Sequence, residues 1–375
     1  MAVTRKGTAA GLVDWRTVER LAALIPAGPS ASRSARASSV AVLRRSALEA
    51  PAWVARITGL NRAAQQVAET TRVSVVDRAG LVRASTRALR GLMEQVPAPQ
   101  ASEAVRLVGA AEMAGAMSLL ATRLLGQVVP AAGTGDDGDG GREGEASPHL
   151  LLVAPNVLAM RRQLDLDMLD LPAWVCLHEM THAVQLAAAP WLGPYLSDSM
   201  RMVIGAVVEA VYGGPGGDAD GTGEQGLRRR PGRAARIAAR AGRGRVLEGL
   251  TNFKERSEVA SLAAALTFLE GHAEVVLDDV HPNRMPSVHR LRAVLSRSRA
   301  ADAGIGPGPG LGSLLLHRLM GLEAKEAQYA DGTAFVRSVV ARIGHEGLNV
   351  VWTDPALLPT PAEIARPDVW VRRVG

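Results

Sequence analysis

The stretch Asp170-Leu171-Pro172-Ala173-Trp174-Val175-Cys176-Leu177-His178-Glu179-Met180-Thr181-His182-Ala183-Val184-Gln185 decides how the rest of the chain is read. Residues i and i+4 of an α-helix lie one above the other, so His178 and His182 project their imidazoles from one face, close enough to share a metal ion. The acid between them, Glu179, stands where zinc hydrolases of this spacing keep their general base, which takes a proton from water and passes it to the leaving group. No other charge and no Pro interrupts residues 174–189. Such an uncharged sleeve predicts a helix buried in a core, opened near Asp170 and Pro172 and ended by Pro190. The plainer reading is a buried helix whose two His hydrogen-bond within the core.

Two His leave a zinc site unfinished. After His182 the chain runs Ala183-Val184-Gln185-Leu186-Ala187-Ala188, with no Gly at the third place and no His six residues on, so the metzincin continuation is absent. The best donor lies in residues 255–279, which read as a long helix with Val259, Ala263 and Leu266 on one face and Glu270 on the same face. A carboxylate aimed into an apolar face is costly unless a charge meets it, and zinc would be that charge. Glu274, one turn further, then suits the task of orienting a ligand His through its free ring nitrogen. His272 is the competing ligand, roughly 200° round the helix from Glu270, so the two can hardly serve one ion. Glu274, Asp278 and His281 stand behind it as further donors, and the plain alternative is that the acids are surface charges.

Composition narrows the function classes. With 375 residues, 47% hydrophobic and 21% charged, the chain suits a soluble protein with room for two modest lobes. The net charge of +6 comes with heavy use of Arg, Ala and Gly and little Lys, a coding bias that makes it weak evidence for an anionic partner. A nucleic-acid partner is not expected, because no helix-turn-helix or zinc knuckle is visible and aromatics, at 3%, are too few for a stacking platform. The lone Cys176 excludes an intramolecular disulfide and suits a reducing, cytoplasmic setting. It lies roughly 200° round the helix from His178, so it reads as a buried structural thiol. Arg5 and Lys6 are not followed by an apolar signal region. The apolar stretches 113–127, 202–212 and 259–269 are short or broken by Arg123 and Glu209, so no membrane span is expected.

In chain order, helices are expected over residues 12–25, 34–59, 61–70, 85–95, 102–127, 157–166 and 199–212. Val73, Val75 and Val76 mark a short strand stopped by Ala79-Gly80, and residues 150–153 mark another. A strand just before the motif helix either offers an edge to an extended peptide or is plain core. Residues 131–147 are Gly, Asp and Glu with little apolar content, hence a solvent loop. Asp136-Asp137-Gly138-Asp139 lacks the later bidentate Glu of a calcium loop. Residues 227–245 carry eight Arg, read as a solvated insertion ahead of an anion-binding lid.

Three runs carry a resemblance: Leu150-Leu151-Leu152-Val153-Ala154-Pro155-Asn156, Trp174-Val175-Cys176-Leu177 leading into the motif, and Leu269-Glu270-Gly271-His272-Ala273-Glu274. They resemble the actinobacterial zincin-like metallopeptidases, a family whose members are associated by name with deazaflavin coenzyme biosynthesis or with hydrolysis. The likeness extends to Val13-Asp14-Trp15, Thr58-Gly59-Leu60, Val75-Val76-Asp77-Arg78, Gly126-Gln127, Lys325, Gln328-Tyr329 and residues 352–370, nearly the whole chain. It implies a helical N-terminal lobe (1–130), a flexible acidic Gly-rich loop (131–148) and a zincin-like catalytic lobe (149–375) with a Gly/Arg-rich insertion at 213–245. A Glu before a Gly is also similar to the third-ligand stretch of Glu-ligand zinc peptidases, which favours Glu270 over His272. Tyr329, in the matched segment, is the candidate oxyanion donor, against a buried structural Tyr.

The expectation is therefore a mainly α protein with a small β-sheet (α+β), acting as a zinc-dependent hydrolase and foremost a metallopeptidase on peptide or protein substrates. Zn2+ would be held by His178, His182 and Glu270, with Glu179 moving the proton. The alternative is a non-catalytic protein of the same fold whose zinc serves folding and partner binding. Glu179 discriminates, since a structural ion needs no base.

Overall fold

The computed structural model describes residues 7–129, 148–212, 253–301 and 327–375, so the acidic loop and the Arg run of the sequence reading lie outside the described residues. Strand β1 (Gly7–Thr8) and a 3-10 turn lead into α1 (Trp15–Ala22), which Asp14 opens by accepting from the amides of Arg16 and Thr17. Ser32 caps α2 (Arg33–Thr58), and Gly59 closes it at a φ of 75°, the left-handed conformation that an L side chain resists. Helix α3 (Asn61–Thr70) and strand β2 (Arg72–Val76) follow. Helix α4 (Arg78–Glu94) starts at 78 rather than the expected 85. Ala79-Gly80, read as a strand stop, instead form its first turn, because Asp77 accepts from the Gly80 amide.

Strand β3 (Pro97–Ala98) pairs antiparallel with β1. Helix α5 (Glu103–Arg123) then ends short of the expected residue 127, and the chain turns into strand β4 (Gly126–Val129). The reason is tertiary. Buried Asn156 donates to the carbonyls of Ala121 (2.8 Å) and Leu124 (2.6 Å), satisfying acceptors at the helix end that a continued helix would otherwise pair. Strand β5 (His149–Val153) lies between β2, parallel, and β4, antiparallel, with Val75 and Gly126 both opposite Leu152. Of the two readings of residues 150–153, the structure therefore has the core strand, and among the described residues the edge on this side belongs to β4.

Helix α6 (Ala154–Gln163) precedes the motif helix α7 (Asp170–Ala188), and α8 (Leu192–Tyr212) begins at 192 rather than 199. Helices α9 (Phe253–Asp278), α10 (Val288–Ala301), α11 (Ala327–Leu348), α12 (Pro361–Ile364) and α13 (Pro367–Val374) complete the described chain. The fold is mainly helical with sheets of two and three strands, the expected α+β class.

Alternation along β5 gives the three-stranded sheet two covered faces. Leu150 and Leu152 join Leu43, Ala47 and Val54 of α2 and Trp174, Val175, Leu177 and Met180 of α7 in one core. Leu151 and Val153 join Val18 of α1, Leu81 of α4 and Met117 and Leu120 of α5 in another. Each fully buried Leu, Val or Met contributes about 1.5–3 kcal/mol, so the uncharged sleeve around the motif holds α7 immobile between α2, the sheet and α9. A third core, with Phe268, Phe335, Trp352 and Trp370, seats α9 against α11 and the C-terminal helices. Against the expectation that no stretch is long and apolar enough, α5, with 28% of its window buried, and residues 256–278 of α9, with 67% buried as in a core helix, both have the length and composition to cross a membrane.

Candidate metal centre

Helix α7 places His178 and Glu179 in the interior and leaves His182 at its margin, with 17% of that side chain exposed. Helix α9 crosses it and brings in Glu270. His178 Nε2 stands 3.3 Å from His182 Nε2, and Glu270 supplies Oε2 at 3.4 Å from the first and Oε1 at 3.6 Å from the second. A tetrahedral ion with bonds of about 2.0–2.1 Å sets its donor atoms roughly 3.3 Å apart, so this triangle fits a zinc-sized ion. The two rings meet edge to face, 4.9 Å between centroids.

Two close backbone approaches put these groups in place. Gly271 lies against α11, where a Cβ on it would come within 2.3 Å of the Gly332 carbonyl carbon. The Gly after Glu270 thus allows two helices to cross at backbone contact beside the third donor. Gly126 of β4 lies against Glu179, where a Cβ would come within 2.7 Å of its Cγ. The Val128 amide of the same strand donates to the Glu179 carboxylate. Because the Leu125 carbonyl accepts from the Val153 amide (2.8 Å), residues 125, 127 and 129 pair with β5, and Gly126 and Val128 turn their main-chain groups outward over the motif.

The charges respond to this crowding. Burial pushes the Glu179 carboxyl up, against the opposing pull of His178 and His182. Burial disfavours a charged His182, but the Glu270 carboxylate outweighs it and raises that imidazole to about 9. Glu270, also buried, is held well below the usual carboxylate range by His182 and His178. A concentrated negative charge facing two imidazoles in the interior is the electrostatic setting a cation would occupy.

The other residues singled out in the sequence fall as follows. Glu274 Oε1 lies 3.7 Å from His178 Nδ1, beside the ring it was expected to orient but beyond hydrogen-bond length. His272 is turned from the donor triangle. Its Nδ1 meets Gln185 Nε2 at 3.0 Å, its ring meets Trp352 edge to face and lies tilted against Phe268, and burial lowers it to about 3. Asp278 pairs with Arg292 and Arg337, and His281 Nδ1 accepts from the Asn283 amide (3.2 Å), a capping role. Cys176 is buried against the Leu43 carbonyl. Tyr329 lies in the first turn of α11, but its side chain is outside the described residues. Sequence reasoning missed Gln185, whose Oε1 is 2.9 Å from His182 Nδ1, although its i+3 spacing from His182 was a visible signal. Gly126 entered the sequence reading only through the family resemblance, with no role given to it, and Val128 did not enter at all.

A helical scaffold with a small sheet, a buried His-Glu-x-x-His helix and a crossing helix bearing a carboxylate define a zincin-type metalloprotein. The chain belongs to the zincin-like metallopeptidase family, whose sequence profile matches residues 13–371. Membership implies a metal ion, typically zinc, and the His178, His182 and Glu270 cluster is compatible with one. Among solved structures it is similar to a candidate hydrolase with a novel fold from Chloroflexus aurantiacus, 21% identical, covering 96% of this chain and 98% of that one with a TM-score of 0.59. That likeness is one of fold. No curated protein is matched in sequence.

Proposed function

We propose that this chain is a zinc-dependent hydrolase that cleaves peptide or amide bonds in a peptide or protein substrate. The observation that carries the reading is the donor triangle of His178, His182 and Glu270 with the Glu179 carboxylate buried beside it on the same helix. Zinc, when bound, supplies Lewis-acid activation of water and of the scissile carbonyl. The remaining steps fall to the chain's own residues. Glu179, raised by burial, is suited to hold a proton taken from water and to release it to the leaving nitrogen. On the edge of β4, Gly126 offers its outward amide and carbonyl and Val128 its carbonyl to an extended substrate, while the Val128 amide is taken by Glu179. Tyr329 is our candidate oxyanion donor, supported by its place in the segment that resembles the family. The single thiol supports residence in the reducing cytoplasm.

A zinc that served folding alone would need no carboxylate base beside it, and Glu179 argues for the enzyme. The test is the zinc content of the wild type and of Glu270→Ala, with digestion of a mixed peptide library by wild type and Glu179→Gln followed by mass spectrometry. The expected result is one zinc lost with Glu270, and cleavage lost with Glu179 while zinc stays. A wild type that binds zinc and cleaves nothing would move the reading to partner binding.

A further inference from the structure

Gln185 is 1% exposed and every polar atom of its side chain is engaged. Nε2 lies 3.0 Å from the Leu269 carbonyl and 3.0 Å from His272 Nδ1, and Oε1 lies 2.9 Å from His182 Nδ1. The Leu269 carbonyl can only accept, which identifies the amide nitrogen as the donor and sends its second proton to His272 Nδ1. Oε1 is then an acceptor, so His182 must carry a proton on Nδ1. In the neutral ring that a bound metal requires, the lone pair then lies on Nε2, the atom that faces His178 and Glu270. A metal requires that tautomer. The same amide ties α7 to α9 at Leu269, the residue immediately before Glu270.

His272 explains itself in this arrangement. Accepting at Nδ1, it carries its proton on Nε2, a buried donor with no hydrogen-bond partner among the described residues. A buried orphan donor is a disadvantage that an apolar side chain at this position would avoid. What the imidazole provides is the acceptor that holds Gln185 in place.

We infer that Gln185 is a positioning residue of the metal centre: it holds His182 in the Nδ1-protonated tautomer and sets the approach of Glu270, with His272 as its buttress. The inference rests on the proposed zinc site. Zinc affinity is measured by competition with a chromogenic chelator for wild type, Gln185→Leu and Gln185→Glu, alongside denaturant midpoints. Histidine ring 15N–1H correlation spectra of the zinc-loaded wild type report the tautomer directly. Loss of an outer partner of a ligand weakens metal binding by about 10–100-fold, the result expected for Gln185→Leu. Gln185→Glu keeps an acceptor for His182 Nδ1 but gives up both donors, so it is expected to recover only the part of the loss that the tautomer carries, with an affinity between those of the wild type and Gln185→Leu. The wild-type spectrum is expected to show the His182 proton on Nδ1. A folded Gln185→Leu protein with wild-type affinity, a Glu variant that recovers nothing, or a proton on Nε2 overturns the inference while leaving the zinc site standing. A wild type that binds no zinc overturns the proposed function and this inference with it.

Discussion

Replacing Gly271 by Ala puts a methyl group into the crossing of α9 and α11. The new Cβ would lie 2.3 Å from the carbonyl carbon and 2.4 Å from the oxygen of Gly332, and 2.8 Å from the Thr333 nitrogen. Carbon contacts settle at about 3.5 Å, so the helices must part by about 1 Å. All three neighbours are backbone, and no rotamer change relieves them. Overpacking of this kind costs about 1–3 kcal/mol, at the upper end when the obstacle is rigid, and parting the helices also loosens Phe268, Leu269, Phe335 and Val336. Ala in place of Gly within a helix returns about 0.5–1 kcal/mol, leaving a net loss of about 2 kcal/mol, or roughly a 30-fold change in the folding equilibrium. Glu270 is the adjacent residue, so zinc affinity is expected to fall in parallel. The assay is urea denaturation and zinc competition beside Gly115→Ala in α5, where an added Cβ meets nothing within 4 Å and a small gain is expected. If the Gly271 variant matches the Gly115 variant, the argument from the helix crossing is refuted.

Further outcomes follow from other close contacts. Gly126→Ala would push a methyl against Glu179 Cγ and displace the carboxylate by about 1 Å, for which about a 100-fold fall in hydrolysis with unchanged zinc stoichiometry is expected; wild-type turnover in that variant would remove β4 from the site. Cys176, with its thiol pushed up by burial, is expected to resist thiol reagents in the folded protein and to label only on unfolding, so rapid labelling of native protein would contradict its placement. Burial alone would raise the Glu363 carboxyl, but hydrogen bonds from Arg373 and Thr360 pull harder, and the folded value lies below the ordinary 4.5. Its contribution is therefore present above the unfolded value and lost as the pH falls through the lowered one. Glu363→Gln should flatten the acid limb of a denaturant-midpoint profile, and an unchanged acid limb would show that the Arg373 pairing carries no linkage.

Parts of this architecture were legible because they rest on interactions within about one helical turn. His178 and His182 at i, i+4, the apolar sleeve from Trp174 onward and the alignment of Glu270 with Val259 and Leu266 are all properties of periodicity. One misread segment was Leu124-Leu125-Gly126-Gln127, expected as the end of a helix. A short apolar run is compatible with helix and strand alike, and here the deciding groups are Asn156, which takes the carbonyls that end α5, and β5, which pairs with the run. Gln185 was passed over although it stands three residues from His182, because its other partners, Leu269 and His272, lie on a distant helix.

The sequence by itself determined the faces of the helices and the identity of the candidate donors, because each follows from residues a few positions apart. Tertiary structure alone decided that β4 rather than β5 lies at the sheet edge among the described residues, that α9 and α11 touch at Gly271 and Gly332, and that Gln185 reaches Leu269 and His272. Those outcomes depend on how segments far apart in the chain satisfy one another's backbone groups and fill one another's space. Local periodicity does not contain that information, and only the assembled core supplies it.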